Sequence, residues 1–380
     1  MDTPSVLALA EKVTVVMVPR ERLTTAPRAL ASVIDTIPAA VPLIIVDAAY
    51  PPQTRQSIDE LATQRPFVSL RFDHYLLPAE ARNRAAKLVK TPYVAFVDND
   101  VELGKGWLEQ LFHAAETKDV AAVSSLTTIR IAHDSAPKEY VHHAGGVIRY
   151  VTHRLQLTYA SIRRNEWGAP DDPSIGKLSR LSDDIEFHAF IIRTDLLRAV
   201  GGFDERLSVC DHDDLSLRLQ AMGKHIAFCP EAKVCYDATG SIDGVDLGYF
   251  SFRWSRANIA LSCKAFRQNW RVSQYFAWEW AMRHRKIVLG PFSPALFRRL
   301  PLVFFDLYFG WLRLKSRASE GERNRRKLGP RHACPSVPKA VAQFYRERLN
   351  ERDADSEFPQ IPADLAYPRP VLGGALQPAE

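Results

Sequence analysis

Asp98 and Asp100, separated by Asn99, stand directly after the apolar run Tyr93–Val97. The run is rich in β-branched and aromatic residues, which predicts a short strand buried on both faces. Because burying two bare carboxylates costs several kcal/mol, we expect the two acids at the open carboxyl end of a sheet, where α/β folds bind ligands. A hard divalent cation carrying a diphosphate would satisfy both charges.

Other polar residues that could take part in chemistry recur along the chain. Asp47 ends a second apolar run, and Arg82 lies in the segment Ala81-Arg82-Asn83-Arg84-Ala85. Further on come Gly201-Gly202-Phe203-Asp204-Glu205 and Asp211-His212-Asp213-Asp214. Acids at a helix start interact with its dipole and its free N–H groups, but three acids in four residues exceed what one cap requires. This cluster is therefore a candidate for acid–base chemistry.

Strand and helix patterns alternate around these residues. The alternation predicts an α/β fold with a doubly wound, mostly parallel sheet. The predicted strands are Val13–Val18, Leu43–Val46, Val68–Arg71, Tyr93–Val97, Val120–Ser124, Phe187–Ile192 and Ile226–Phe228. The predicted helices are Pro27–Thr36, Thr54–Gln64, Ala79–Val89, Trp107–Glu116, a short one from Thr194, and one that begins near Asp211.

The composition divides the chain into four parts. Between Thr127 and Ser182 the patterning weakens, and polar loops that contain Gly and Pro are expected there. We predict a lead at 1–12, a main domain at 13–246 with halves at 13–126 and 127–246, a helical aromatic and basic extension at 247–331, and a Pro-rich, partly disordered tail at 332–380.

The charge and the cysteines narrow the class of protein. A net charge of +6 over 380 residues suits phosphate-bearing ligands, an anionic membrane surface or nucleic acid. Five cysteines without a CxxC pair argue against a disulfide framework or a zinc site and favour the cytoplasm. The N-terminus lacks the pattern of a signal peptide, and the apolar run Leu300–Leu312 is too short to span a bilayer. The extension either packs on the core or lies on the inner face of the membrane, where Pro294–Lys315 mixes aromatic and basic residues.

Four motifs occur in an order that resembles the family 2 glycosyltransferases of GT-A fold, over about Val13–Phe228. They are the Ala-Arg-Asn segment, the Asp-Asn-Asp motif, the Gly-Gly-Phe-Asp-Glu turn and the acidic helix start. The resemblance implies a nucleotide diphospho-sugar donor, Mn²⁺ or Mg²⁺, and transfer with inversion to a glycan or lipid-linked acceptor. It implies no nucleic-acid partner.

The resemblance makes 13–126 the donor half and 127–246 the acceptor half, in which the segment Thr127–Ser182 would select the acceptor. It also assigns roles to residues. Asp100 would coordinate the metal, and Asp98 would meet the metal or the ribose. Asp211 would be the general base, with His212 and Asp213 as alternatives. The donor would be held by Asp47 at the nucleobase, by Arg82 at the diphosphate, and by the loop after the first strand, where Pro19 and Arg20 lie.

A departure from the family pattern at the end of the first strand, Pro19-Arg20-Glu21-Arg22 in place of Pro-Thr-Tyr-Asn, leaves the identity of the donor base open. Two further departures concern the base and the metal ligands. His212 stands where an acid is usual. Tyr236 and Asp237 stand where a His often serves as a further metal ligand, so either Asp237, His212 or His143 replaces it or the metal is held more loosely. Glu186 and His188 share one face of a predicted strand and line either the acceptor pocket or the solvent.

Two other functions remain as alternatives. A sugar-nucleotide nucleotidyltransferase would require a Gly-rich loop after the first strand, and Pro19–Thr25 contains no Gly. A non-catalytic binding or scaffold protein at the membrane is compatible with both departures.

Overall fold

The computed structural model describes residues 6–284 apart from 117–119, 134, 154–155, 241, 243, 271, 274–276, 279–280 and 283. The tail, most of the predicted extension, and the segment on which the membrane prediction rests lie outside the described residues. No helix in the described part of the chain combines the length and the apolar character needed to cross a membrane.

Helices and strands alternate over most of the stretch from Val6 to Ala115, and strands predominate from Val120 to Ser182. The helices are α1 (Val6–Lys12), α2 (Ala26–Thr36), α3 (Pro52–Gln64), α4 (Pro78–Ala86), α5 (Trp107–Ala115), α6 (Thr194–Ala199), α7 (Asp211–Ala221), α8 (Gly244–Arg253) and α9 (Arg256–Trp270). The strands are β1 (Val13–Val18), β2 (Leu43–Ala48), β3 (Val68–Phe72), β4 (Tyr93–Asp98), β5 (Val101–Leu103), β6 (Val120–Ile131), β7 (Lys138–His143), β8 (Gly146–His153), β9 (Gln156–Arg163), β10 (Leu181–Ser182), β11 (Ala189–Arg193) and β12 (His225–Ala238).

The main sheet has the order β10-β12-β6-β11-β4-β1-β2-β3, while β5 pairs with β12 and β7 with β6. Strands β3, β2, β1 and β4 are parallel to one another, and so are β6 and β12. Strand β11 is antiparallel to both of its neighbours, β4 and β6. The predicted α/β fold with a mostly parallel sheet is confirmed, with β11 inserted in the opposite direction between its two parallel parts.

Successive residues of the central strands face two different cores, as the period of a strand requires. In β1, Val15 and Met17 join a core that includes Leu30 of α2. Val16 and Val18 join the other core, which includes Ala81 of α4 and Leu215 of α7. The apolar runs are buried on both faces for this reason, which makes the sheet a rigid platform for the polar residues at its edge.

The weakly patterned segment Thr127–Ser182 contains strands where loops were predicted. Strand β6 continues to Ile131 and pairs with β7, and β8 forms a hairpin with β9. Strand β12 runs for 14 residues because a register shift between Cys229 and Lys233 accommodates Pro230. Strand β11 begins at Ala189, so the prediction that Glu186 and His188 lie on this strand is wrong. Both residues precede it.

Helices α8 and α9 pack on the rest of the described chain. Arg253 at the end of α8 pairs with Glu21 at 3.0 Å, and Tyr249 is buried in the first core. At the end of α9, Trp270 Nε1 donates to Asp214 Oδ1 at 2.8 Å, which connects this helix to α7.

Candidate functional site

The Asp-Asn-Asp motif lies at the carboxyl end of β4. Asp98 is fully buried and accepts hydrogen bonds from Arg82 Nη2 at 2.8 Å and Arg20 Nη1 at 2.7 Å. Asn99 accepts from the Arg20 backbone N–H at 2.8 Å and donates to the Arg22 carbonyl at 2.9 Å. The motif therefore holds the loop that follows β1 close to the motif's own residues. The two segments are neighbours because Val18 at the end of β1 pairs with Asp98 at the end of β4.

Asp100 is a buried carboxylate without a counter-ion in direct contact. It is 1% exposed, and neither of its oxygens has a hydrogen-bond partner. Burial and the neighbouring Asp98 raise the pKa of Asp100 to about 6. A buried acid left in this state requires an explanation, and a bound cation is the most direct one.

One imidazole nitrogen completes a set of donor atoms around these acids. Ligand atoms of Asp98, Asp100 and His188 lie within 4.8 Å of one another, and His188 Nε2 has no hydrogen-bond partner. Carboxylate oxygens with an imidazole nitrogen form a donor set that suits a divalent metal such as Mn²⁺. The residues present therefore fit the predicted metal.

Glu186 lies behind His188, with its Oε1 2.5 Å from His188 Nδ1. Burial opposes ionisation of Glu186, but His188 and Arg163 outweigh burial and hold its pKa well below its usual range. The next ring, His142, has Arg163 Nη1 2.6 Å from its Nε2. Burial and Arg163 keep the pKa of His142 well below its ordinary value, so this imidazole is neutral.

Arg82 joins the motif to the predicted general base. Its side chain is fully buried, with Nη2 on Asp98 and Nη1 on Asp211 Oδ2 at 3.1 Å. The guanidinium carbon lies 4.5 Å from the centre of the Phe187 ring. Because two acids of the protein already occupy the guanidinium, Arg82 fixes the separation of Asp98 and Asp211. Its predicted contact with diphosphate stays a prediction.

Asp211 begins α7 after Cys210, which has a left-handed backbone with φ of 62°. His212 lies between two acids, with Nδ1 3.8 Å from Asp211 and Nε2 3.5 Å from Asp213. Burial works against the charged imidazole, but Asp213 and Asp211 raise the pKa of His212 to about 9. Burial likewise opposes ionisation of Asp211, yet His212 and Arg82 hold its pKa well below the usual range. At neutral pH Asp211 is an anion next to an imidazolium.

The remaining predicted residues have partners of their own. Asp47 accepts from the Tyr50 backbone N–H at 2.6 Å and pairs with Arg55. Asp237 pairs with Arg28 at 2.7 Å and accepts from Thr239. His143 Nε2 contacts Asp184 at 3.1 Å, and the Gly145 N–H donates to its Nδ1. None of the three belongs to the donor set around Asp100 among the described residues.

Sequence reasoning overlooked two cations of the site. Arg22 Nη1 donates to Tyr236 Oη at 3.1 Å, so an Arg–Tyr pair occupies the place where a His is usual in the resembled family. Arg163, which contacts Glu186 at 3.5 Å, comes from the segment in which no elements were predicted. Neither residue stands in a motif, and nothing in the local sequence indicated them.

A buried acid pair with a metal-type donor set thus lies at the edge of an α/β sheet. Residues 14–173 match the family model described as "Glycosyl transferase family 2". This part of the chain is similar to that glycosyltransferase family.

Curated relatives and solved structures are similar to parts of the chain. The O-antigen biosynthesis protein RfbC of Myxococcus xanthus is 25% identical over 209 residues, which cover 52% of this chain and 15% of the relative. The pre-mycofactocin glycosyltransferase of Mycobacterium tuberculosis is 31% identical over 168 residues, which cover 44% of this chain and 32% of the relative. The chain thus spans no more than about a third of the length of these relatives.

Two solved structures complete the comparison. The mannosyltransferase PcManGT from Pyrobaculum calidifontis, in complex with GDP-Man and Mn²⁺, has a TM-score of 0.45 at 15% identity, covering 89% of this chain and 83% of that one. GalNAc-T7 with UDP, GalNAc and Mn²⁺ has a TM-score of 0.47 at 15% identity, covering 74% of this chain and 58% of that one.

Proposed function

We propose that this chain transfers a sugar, with inversion, from a nucleotide diphospho-sugar to an acceptor hydroxyl in a reaction that depends on Mn²⁺ or Mg²⁺. The observation that carries the proposal is Asp100, a fully buried carboxylate with two unpartnered oxygens next to Asp98. A bound cation, together with the diphosphate of a donor, would compensate the charge of these two carboxylates.

Asp98 and Asp100 would hold the metal. When bound, the metal neutralises the charge that develops on the leaving diphosphate. Arg20 pairs with Asp98 and keeps a side chain that is 20% exposed, so its guanidinium lies at the margin of the site next to the donor. Arg82 contacts both Asp98 and Asp211, so it fixes the distance between their carboxylates and fills the space between them.

Asp211 would accept the proton of the acceptor hydroxyl while that oxygen attacks the anomeric carbon. The bond from the anomeric carbon to the diphosphate oxygen breaks in the same displacement, which inverts the configuration and requires no covalent intermediate. Arg82 and His212 keep the Asp211 carboxylate ionised, as the acceptor of a proton has to be.

The acceptor is proposed to be a glycan or a lipid-linked sugar in polysaccharide or glycolipid synthesis, at the cytoplasmic face of the membrane. The similarity to the O-antigen biosynthesis protein of Myxococcus xanthus supports this acceptor class.

A panel of UDP-, GDP- and dTDP-sugars tests the donor. A true donor should raise the melting temperature of the full chain in Mn²⁺, and a chelator should remove the rise, because only the metal-loaded site binds the diphosphate. Proton NMR of the sugar first released should show the anomer opposite to that of the donor. A panel without any metal-dependent shift contradicts the proposal.

Asp211→Asn should slow the release of nucleoside diphosphate, with water as the acceptor, by about 10²- to 10⁴-fold, because the general base is removed. The donor-induced thermal shift should persist, since the metal ligands remain. Asp213→Asn is the matched control in the same helical turn. If Asp213→Asn abolishes the release while Asp211→Asn retains it, the base has been assigned to the wrong acid.

A further inference from the structure

The position that often supplies a third metal ligand in the resembled family offers none here. Tyr236 lies near the end of β12, and its hydroxyl accepts from Arg22. Asp237, the next residue, has its carboxylate on Arg28 and Thr239. The two carboxylates of the Asp-Asn-Asp motif therefore need a partner from another part of the fold.

His188 has the properties of that partner. Its side chain is 2% exposed, and its Nε2 has no hydrogen-bond partner, although a buried imidazole nitrogen is normally satisfied. Its Nδ1 faces the carboxylate of Glu186 at 2.5 Å. Because a carboxylate only accepts, Nδ1 carries the proton, and the lone pair is on Nε2.

We propose that His188 Nε2 is the third protein ligand of the metal at Asp98 and Asp100, and that Glu186 is its positioning residue. This assignment rests on the proposed function, because the metal site is the one proposed there. It moves the third ligand from the end of β12 to the residue before β11. A carboxylate that accepts from the distal nitrogen of a metal-bound His fixes the ring and strengthens the ligand.

The sheet itself brings His188 to the motif. Strand β11 is antiparallel to β4, so its beginning lies next to the end of β4, where the acids are. The Asp98 N–H donates to the His188 carbonyl at 3.0 Å, which continues the pairing of Val97 with Ala189. Two central strands thus set the distance between ligands, and no loop has to close to assemble them.

A second group of donor atoms, His142 with Glu186 and His188, is a weaker candidate for the metal. Arg163 Nη1 lies 2.6 Å from His142 Nε2, so the guanidinium already occupies this nitrogen. The same arginine approaches Glu186 at 3.5 Å, and its positive charge opposes a second cation there. The geometry therefore favours Asp98, Asp100 and His188.

A mixed oxygen and nitrogen donor set predicts a choice of metal. Mg²⁺ prefers oxygen ligands alone, whereas imidazole is an ordinary ligand of first-row transition metals. The protein should therefore bind Mn²⁺ more tightly than Mg²⁺, and His188→Gln should lower the ratio of the Mn²⁺ affinity to the Mg²⁺ affinity.

The experiment is a titration of the metal-free full chain with Mn²⁺, in which electron paramagnetic resonance measures the free ion and pulsed measurements detect ¹⁴N coupled to bound Mn²⁺. We expect His188→Gln to weaken Mn²⁺ binding at least 10-fold and to remove the ¹⁴N coupling. Glu186→Gln should weaken binding about 10-fold while the coupling persists. His113→Gln, the same substitution on the exposed side of α5, is the matched control and should bind as the unmodified chain does.

Each outcome decides a different claim. Bound Mn²⁺ without ¹⁴N coupling in the unmodified chain overturns the role of His188, even if the variant fails to fold. If Asp100→Asn loses Mn²⁺ while His188→Gln retains it, the third ligand is wrong and the proposed function stands. If Asp100→Asn binds Mn²⁺ as the unmodified chain does, the metal site of the proposed function is itself wrong.

Discussion

Arg82→Met should lower the free energy of unfolding of the metal-free chain by about 3 kcal/mol or more, because breaking a buried ion pair leaves charge without compensation. Its guanidinium bonds two buried acids that lie on different elements, Asp98 at 2.8 Å and Asp211 at 3.1 Å. The free energy of unfolding should not fall much further, because Asp98 remains paired with Arg20 and Asp211 remains next to His212. Urea unfolding in the presence of a chelator measures the change.

Arg84 provides the control for this prediction. It lies two residues further along α4, its side chain is 40% exposed, and it pairs with Glu80 at 3.2 Å. Arg84→Met should cost no more than about 0.5 kcal/mol, as an exposed pair within one helix does. Arg82→Lys should behave like Arg82→Met, because an ammonium cannot bridge both acids. Equal stabilities for the Arg82 and Arg84 variants would contradict the bridging role.

Asp100→Asn should stabilise the metal-free chain at pH 7 to 8 while it removes metal-dependent activity. The pKa of Asp100 rises from 3.8 to about 6 in the folded state, so the ionised carboxylate opposes folding above that pH. The gain should lie between about 1 and 3 kcal/mol, because the buried amide also lacks partners. Urea unfolding in chelator, repeated from pH 4 to pH 8, measures it.

The sign of the pH dependence follows from the direction of the shift. The folded state binds the proton of Asp100 more tightly than the unfolded state does. The stability of the unmodified chain is therefore highest with respect to this group below about pH 4, and it falls as the pH rises through about 6. The difference between Asp100→Asn and the unmodified chain should therefore vanish near pH 4. Asp98→Asn is the control, because Asp98 is paired with two arginines and its loss should destabilise. A destabilised Asp100→Asn at pH 8 would contradict the unpaired state of Asp100.

The sequence was sufficient for the parts of this fold that local patterns determine. Apolar runs predicted β1, β2 and β4 to within a few residues, and the amphipathic spacing predicted α4 and its neighbours. The motif at Asp98–Asp100 was recognisable because a strand pattern ends in two acids. The segment Thr127–Ser182 was not, since β7 reads Lys-Glu-Tyr-Val-His-His and shows neither a continuous apolar run nor an alternation of polar and apolar residues.

The contacts that define the site depend on pairings distant in sequence. His188 meets Asp98 because β11 runs antiparallel between β4 and β6, whereas the pattern of β11 alone does not reveal its direction. Arg82 reaches Asp211 across 129 positions, and Arg22 reaches Tyr236 across 214. Residue type predicted that Arg82 would meet an anion, but only the packing of α4 against α7 determines which one.

The release of nucleoside diphosphate from the panel of sugar nucleotides, measured with Mn²⁺ and with chelator, tests the central claim most directly. We expect one donor to be cleaved in Mn²⁺ at a rate at least 100-fold above that in chelator, and Asp100→Asn to remain at the chelator rate in both conditions. Cleavage that is indifferent to both Mn²⁺ and Asp100 would contradict a metal-assisted glycosyltransferase.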